Sequence, residues 1–338
     1  MISYRVAWPT AREAILEKFQ LPDTPQAGHI LLETEYTLIS PGTEKAGFLG
    51  MPNTGAEFPR FPGYSAVGYV LATGEGVTDL KPGDRVVAYH SKHASRAVKA
   101  RRDVVRIDDD TLDSKIAVFS IIAAMALQGM RKLRLELGES VMVMGLGLLG
   151  QFAAQLARLS GAFPVIGVDY CASRQALALD LGANHVFSAD QHDLPAIIKS
   201  FTGKGVNAVA EITGASSAVK QAFGCMAPMG RIALIGCSRV PTTEVDFYND
   251  VHKPGITVIG AHNSARPGQD SYPGCWTLRD DLKTLLRLFA ANRLHASPMI
   301  AEIVSPNQAS EIYHRLAESE TNPPGILFDW KNLIPCNA

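Results

Sequence analysis

Along the first 110 or so residues, apolar positions come in short alternating runs separated by Gly and Pro: YRVAWP, HILLETEYTLI, SAVGYVLATG, DRVVAY and AVKARRDVVRI. Period-two alternation with breakers between the runs predicts an irregular all-β unit. Near residue 115 the period changes, and KIAVFSIIAAMALQGMRKL carries its apolar residues at helical spacing. From Ser140 onward apolar strands and amphipathic helices alternate: SVMVMG, LGQFAAQLARLSG, PVIGVD, SRQALALDLGA and HVF, then AIIKSFTG, NAVAEITG, AVKQAFGCMA, GRIALIG and ITVIGA. Such alternation is what a parallel sheet covered by helices on both faces requires, and it predicts a doubly wound domain over about residues 125–262. The remainder, from DDLKTLLRLFAANRL to GILFDW, reads as helix, strand, helix and strand. It is too short for a core of its own and is expected to pack back onto the N-terminal unit.

A length of 338 residues agrees with about two domains. Charge is nearly balanced, with 32 Lys and Arg against 33 Asp and Glu, so nucleic acid is not an expected partner. The densest basic stretch, RAVKARRDVVRI at 96–107, alternates with valines and reads as a strand with a solvated face, the alternative being an anion-binding patch. MISYRVAWPT lacks a signal-peptide pattern, and apolar runs such as IIAAMAL are too short to span a bilayer, so a cytoplasmic protein without a membrane partner is expected. Cys171, Cys225, Cys237, Cys275 and Cys336 are scattered, without a CxxC pair, and read as reduced thiols.

The strongest chemical motif is MVMGLGLLGQFAAQLARL, in which Gly145, Gly147 and Gly150 form G-x-G-x-x-G between an apolar strand and a helix. The first glycine permits the tight turn, the second lets a pyrophosphate approach the backbone, and the third lets helix and strand pack closely. The helix start at Leu148 and Leu149 then presents free amides to the phosphates. The next strand ends in Asp169, about 20 residues on, where a carboxylate accepts hydrogen bonds from ribose hydroxyls and repels a 2′-phosphate. NAD is therefore expected over NADP. Arg174 is the reservation, since it can pair with a phosphate, stack on adenine or remain solvated. At later strand ends Thr213 in ITG, and Gly236 and Cys237 in IGCS, can hold the nicotinamide carboxamide through backbone groups, with Leu149 behind the ring.

Taken with GYVLATGEGVTDLKPGDRVVAY, ALDLGANHVF and NPPGILFDW, these segments resemble the medium-chain dehydrogenase/reductase superfamily of alcohol-dehydrogenase-like enzymes over essentially the whole chain. LISPGTE resembles the subgroup of bacteriochlorophyllide-type and sugar or polyol dehydrogenases. The resemblance implies an α/β fold, a Rossmann doubly wound parallel sheet plus a GroES-like irregular β catalytic domain. The expected division is a catalytic domain over 1–124, an NAD-binding domain over 125–262, and a segment at 263–338 returning to the catalytic domain. A homodimer or homotetramer acting on a small-molecule substrate is likewise implied.

Zinc members of the superfamily hold a catalytic metal through three places that match Pro41, Tyr64 and approximately Ser120 here. None is a credible ligand, and the structural-zinc cysteines are missing, so a zinc-free enzyme is expected. Another group must then polarise the substrate oxygen and move its proton. Thr43 matches the hydroxyl that begins the family's proton relay, whose histidine place is taken by Ala46. Tyr64 is one candidate, as an acid or base whose pKa a cation such as Lys45 lowers, or as a residue that only fills the vacated space. His90 is the other, as base, substrate donor or wall residue. Glu44 either anchors its loop or binds substrate.

The segment at 246–281 is dense in polar and aromatic residues. The resemblance places GAHNSARP beside the active site, which makes His262, Asn263 and Arg266 substrate-binding candidates, with a covering or interface loop as the alternative and a phosphate contact as a further one for Arg266. The expected function is a zinc-independent, NAD-dependent secondary-alcohol dehydrogenase acting on a sugar, polyol or cyclitol. An enone or quinone reductase of the same superfamily, or a non-catalytic dinucleotide-binding protein, are the alternatives.

Overall fold

The computed structural model describes all residues except 56, 243, 244, 322 and 335–338, so Cys336 and one residue of NPPGILFDW lie outside the described residues. In chain order the elements are β1 (Ile2–Ala7), β2 (Ile15–Gln20), β3 (His29–Ile39), α1 (Pro41–Phe48), β4 (Ser65–Thr73), β5 (Arg85–Tyr89), β6 (Arg96–Ala100) and β7 (Val104–Arg106). Then come α2 (Ser114–Ala117), α3 (Ser120–Leu133), β8 (Val141–Met144), α4 (Leu148–Leu159), β9 (Val165–Asp169), α5 (Ala172–Asp180), β10 (His185–Ser188) and α6 (Leu194–Thr202). The chain continues through β11 (Val206–Glu211), α7 (Ser216–Cys225), β12 (Met226–Leu234), β13 (Thr257–Gly260), α8 (Leu278–Ala290), β14 (Glu302–Val304), α9 (Ala309–Glu318) and β15 (Ile326–Asp329).

Two compact units result, one of residues 1–122 with 282–338 and one of residues 123–281. The return to the first unit therefore comes within α8. Residues 263–281, assigned from the sequence to the returning segment, belong to the second unit because buried ion pairs hold them there. The run RAVKARRDVVRI is not one strand either: a 3-10 turn at Arg101–Asp103 divides it into β6 and β7.

In the first unit the strands run β14-β15-β3-β4-β5-β7, with β6 also paired to β3. Alternation puts Ile30, Leu32, Ala66, Val70, Val86, Ala88 and Val104 into one core cluster. A second cluster joins the two ends of the chain, with Val6, Trp8, Ile39 and Phe48 packed against Tyr313, Leu316, Phe328 and Trp330. In the second unit six parallel strands run β10-β9-β8-β11-β12-β13. Numbered within the unit this order is 3-2-1-4-5-6, so the strand order reverses between β8 and β11, where open α/β sheets form their ligand crevice. By length and composition Ser114–Leu133 is apolar enough to cross a membrane, which the short runs in the sequence did not suggest; most of it is buried in the protein, as a core helix is.

Candidate active site

The crevice of the second unit begins where β8 ends. Gly145 has φ +91°, and a Cβ there would meet Thr213 Cγ2 at 2.8 Å; a Cβ on Gly150 would meet the Gly145 carbonyl oxygen at 1.9 Å. These two glycines are thus demanded by the turn and by helix-strand packing. Gly147, the N-cap of α4, has nothing within 4 Å of where its Cβ would stand, which leaves room for a phosphate against the first amides of the helix. Leu148 is buried, so its contribution is its backbone, while the Leu149 side chain is half-buried.

Asp169 is already oriented. Its Oδ2 accepts from the Leu146 amide at 2.7 Å and its Oδ1 from the Cys171 amide at 2.8 Å, which ties the glycine turn to the end of β9. One lone pair per oxygen is left for a ribose hydroxyl. Arg174 stands 3.6 Å from Asp169 Oδ2, and Gln151, absent from the sequence-based candidates, fixes this corner by donating to the carbonyls of Leu146 and Arg174 at 3.0 and 2.8 Å.

Opposite, the loops after β11 and β12 touch backbone to backbone. A Cβ on Gly214 would meet the Cys237 carbonyl oxygen at 2.5 Å, and one on Gly236 the Gly214 nitrogen at 2.4 Å. The Thr213 hydroxyl bonds Glu211, whose carboxylate, 1% exposed, also accepts from the Thr213 amide at 2.8 Å and the Gly214 amide at 3.1 Å. Burial pushes the Glu211 pKa up while these bonds pull it down. Thr213, Gly236 and Cys237 can therefore serve a ligand through their backbone.

The catalytic candidates gather in the first unit, at the end of β3, the start of β4 and the end of β5. Ser40 caps α1, and Glu44 reaches back so that its Oε1 accepts from the Ser40 amide at 2.8 Å. Glu44 Oε2 accepts from Tyr313 Oη at 2.5 Å and from His93 Nε2 at 2.9 Å. His93 Nδ1 lies 2.7 Å from Thr37 Oγ1, which accepts from Trp330 Nε1 at 3.0 Å. With a neutral His93 every donor in this chain finds an acceptor: the indole donates to Thr37, Thr37 to Nδ1, and Nε2–H to Glu44. Gly63 has φ +93°, and a Cβ there would meet the His93 nitrogen at 2.7 Å, so only glycine lets the turn before Tyr64 pass this close to His93.

Tyr64 is half-buried, with the Ser40 and Thr43 hydroxyls against its phenol. Burial pushes its pKa well above the ordinary phenol range; the two hydroxyls oppose this, and the charges of Glu44 and Tyr89 reinforce it. His90, at φ +53°, is exposed, and its ring lies 3.7 Å from that of Tyr89. Partial burial lowers its pKa, Asp103 acts in the opposite direction, and Lys99 and Lys92 lower it further.

Comparison with known proteins decides the family. The model described as "Alcohol dehydrogenase GroES-like domain" matches residues 26–124, and that described as "Zinc-binding dehydrogenase" matches 149–281. The chain belongs to the medium-chain dehydrogenase/reductase superfamily. Among relatives, D-guloside 3-dehydrogenase of Escherichia coli (strain K12) is 29% identical over 262 residues, covering 77% of this chain and 74% of that protein. Alcohol dehydrogenase 1 of Pisum sativum is 24% identical over 371 residues, covering 94% of each. Among solved structures, galactitol-1-phosphate dehydrogenase from Escherichia coli has a TM-score of 0.85 at 19% identity, covering 96% of this chain and 99% of that one. A zinc-binding-dehydrogenase-like protein from Sinorhizobium meliloti 1021, bound to NADP, has a TM-score of 0.81 at 20% identity over 99% and 100%. The protein is thus a dehydrogenase of the alcohol-oxidising superfamily with a dinucleotide-binding unit.

Within that superfamily, the structure binds four of the sequence-based candidates into the scaffold. Lys45 cannot tune Tyr64, because its Nζ donates to the Ser319 carbonyl at 2.5 Å and Tyr64 is shifted upward, not downward. Glu44 is buried and holds three donors, so it anchors its loop and does not meet substrate. Arg266 is committed to structure: it donates to Asp281 at 3.1 Å, to Gln128 at 3.1 Å, to the Ala124 carbonyl at 3.1 Å and to the Asn263 side chain at 2.8 Å. Arg131 reaches the other oxygen of Asp281 at 2.8 Å, which completes a buried Arg-Asp-Arg group that fastens the 262–281 segment. Asn263 is consumed in the same group, and the exposed His262 bonds Ser264 at 2.7 Å.

The metal places of zinc relatives do not fit zinc here. Pro41 offers no ligand atom, Tyr64 holds its proton tightly, and the Ser120 hydroxyl is buried without a partner among the described residues.

Proposed function

We propose that the protein is a zinc-independent, NAD-linked dehydrogenase that interconverts a secondary alcohol and a ketone on a sugar, polyol or cyclitol. The observation that carries this reading is the hydroxyl cluster of Ser40, Thr43 and Tyr64, gathered at one of the three places where zinc relatives hold their metal, with the imidazole of His90 on the adjoining strand end. The bound nicotinamide would supply the hydride acceptor. Tyr64 remains a neutral phenol at neutral pH, so it acts as a hydrogen-bond donor to the substrate oxygen. The Ser40 and Thr43 hydroxyls beside it lower its pKa, and donation from either to the phenol oxygen would polarise the O–H and strengthen its own donation. His90, neutral at the same pH, takes the proton of the alcohol. The sugar dehydrogenases among the relatives support the substrate class.

The test is metal analysis with a screen of polyols and cyclitols against NAD and NADP. Turnover that survives exhaustive chelation, at less than 0.1 metal ion per chain (about a tenth of one site), is expected; activity that requires stoichiometric zinc would defeat the reading. For the cofactor, the pre-oriented carboxylate of Asp169 favours NAD. NAD should exceed NADP in kcat/KM by about 10-fold or more, and Asp169→Ser should reverse the order, since the charge-assisted bonds at stake are worth about 1.5–3 kcal/mol. Equal use of both cofactors by the unaltered protein would show that Arg174 overrides Asp169.

A further inference from the structure

Lys99 lies in the stretch whose alternation suggested a solvated strand face, yet its side chain is not on that face. β6 pairs with β3, with Lys99 opposite Ile30, and the residue is 8% exposed. No carboxylate lies within ion-pair distance and no acceptor is bonded to its ammonium among the described residues. The turn that follows β6 delivers Asp103 to β7, whose Val104 pairs with Ala88 of β5; Asp103 is thus set beside the Tyr89–His90 strand end. Lys92, two residues beyond His90, is exposed, and it too is in no ion pair among the described residues. Asp103 is the acid that faces Lys99, Lys92 is the base that faces it, and Glu44, already holding three donors, is the acid that faces Lys92.

Holding a lysine side chain mostly out of water without a partner for its charge is unfavourable, which makes such a group beside a titratable cluster a candidate for binding a ligand. Two primary ammoniums whose charges both act on the His90 imidazole offer point charges with several donors each, the chemistry that recognises a carboxylate or phosphate. We propose that Lys92 and Lys99 form a subsite for an anionic substituent of the substrate, so that the alcohol oxidised beside His90 belongs to a sugar acid or a sugar phosphate. This deepens the dehydrogenase reading and rests on it for the identity of the reacting alcohol.

Two further consequences are distinctive. Burial lowers the Lys99 pKa to about 8, so its charge, and with it the affinity for the anion, is lost as pH rises through that value. Lys92 and Lys99 also depress the pKa of His90, and an anion seated on them cancels part of that effect and raises His90 toward its ordinary value. An anionic substrate would thereby strengthen its own base.

The experiment compares glucitol, gluconate and glucitol 6-phosphate as substrates of the unaltered chain and of Lys99→Met and Lys92→Met. It also reads the thermal midpoint of each protein with gluconate or inorganic phosphate and no cofactor. The expected result is an anionic-over-neutral ratio of kcat/KM that falls about 10-fold or more in Lys99→Met, as befits loss of a charge-assisted bond. An anion-induced rise in melting temperature present in the unaltered chain should be absent from the variant. Response to gluconate alone identifies a carboxylate, response to phosphate alone a phosphate ester. Lys99→Met replaces an unpartnered charge on a mostly buried side chain with an apolar one and should itself melt no lower, so misfolding does not mask the outcome; Lys92→Met, at an exposed position, gives the same reading independently. The proposal is overturned if both variants keep the unaltered anionic-over-neutral ratio, or if no anion stabilises the unaltered chain more than the variants. Failure of the dehydrogenase reading is a different result: no oxidation of any substrate, with the anion-dependent melting difference still present.

Discussion

Replacing His90 with Asn is expected to lower kcat about 100-fold or more while leaving dinucleotide affinity within about 3-fold, the size usual for removal of a general base. Asn is the appropriate replacement because residue 90 has φ +53°, a left-handed conformation that Asn adopts more readily than most residues. A hundredfold loss corresponds to about 2.7 kcal/mol of transition-state stabilisation. The pH dependence provides the second signature. His90 is driven below its ordinary pKa chiefly by burial, with Lys99 and Lys92 adding to the depression and Asp103 opposing it. A base works in its deprotonated form, so the acid limb of alcohol oxidation should fall with a midpoint below about 6.5, and that limb should vanish in the variant. Retention of both the rate and the limb in His90→Asn would transfer the proton to another group, with the Tyr64 cluster as the remaining candidate.

The second large effect is on stability. Glu44→Ala should lower the melting temperature of the first unit by about 10 °C, because it strands donors that have no other acceptor. The His93 ring N–H and the Tyr313 hydroxyl are buried, and both currently end on the same carboxylate oxygen. Each unsatisfied buried donor costs about 1–3 kcal/mol, and the Ser40 amide at the start of α1 loses its partner as well. Tyr313→Phe removes a single bond from a carboxylate that keeps two others, so it should cost about 1 kcal/mol. Calorimetry of both variants checks the order: a Glu44→Ala protein as stable as Tyr313→Phe would mean that apolar packing alone holds this region. Activity should follow stability, since Ser40 and Thr43 are presented to Tyr64 by the helix that Glu44 fastens.

What the sequence disclosed and what it hid follow from distance along the chain. The glycine turn, Asp169 and the alternating strands and helices are local patterns, and the structure places them where period and spacing imply. The acidic end of β9 was readable because a strand end, a turn and a helix start lie within a few residues. For Lys45, Glu44 and Arg266 the sequence could not choose between a structural and a chemical role, because their partners, Ser319, Tyr313 and Asp281, are contributed by other elements. Ser40, Tyr89 and His93 carry no motif; their importance arises from converging strand ends, and the only sequence signal was their nearness to Thr43, His90 and the Pro-Gly turn. Lys99 was hidden for a different reason, since an unbroken reading of 96–107 cannot see the 3-10 turn that lets β6 and β7 pair with different neighbours.

The strand β15 pairs with β3 through Ile326 opposite Ile39 and Asp329 opposite Tyr36, and Trp330 just beyond it donates to Thr37. This arrangement imposes an order on biosynthesis. The second unit is one uninterrupted stretch and has all its strands once residue 260 has left the ribosome, whereas the first must wait for nearly three hundred residues between its middle strand and that strand's last partner. Until then the nascent chain carries Tyr36–Ile39 as an open edge, the kind of surface that recruits chaperones or pairs with a neighbouring chain. A ribosome that stalls before Ile326 would release a chain with an assembled dinucleotide unit and no complete catalytic one.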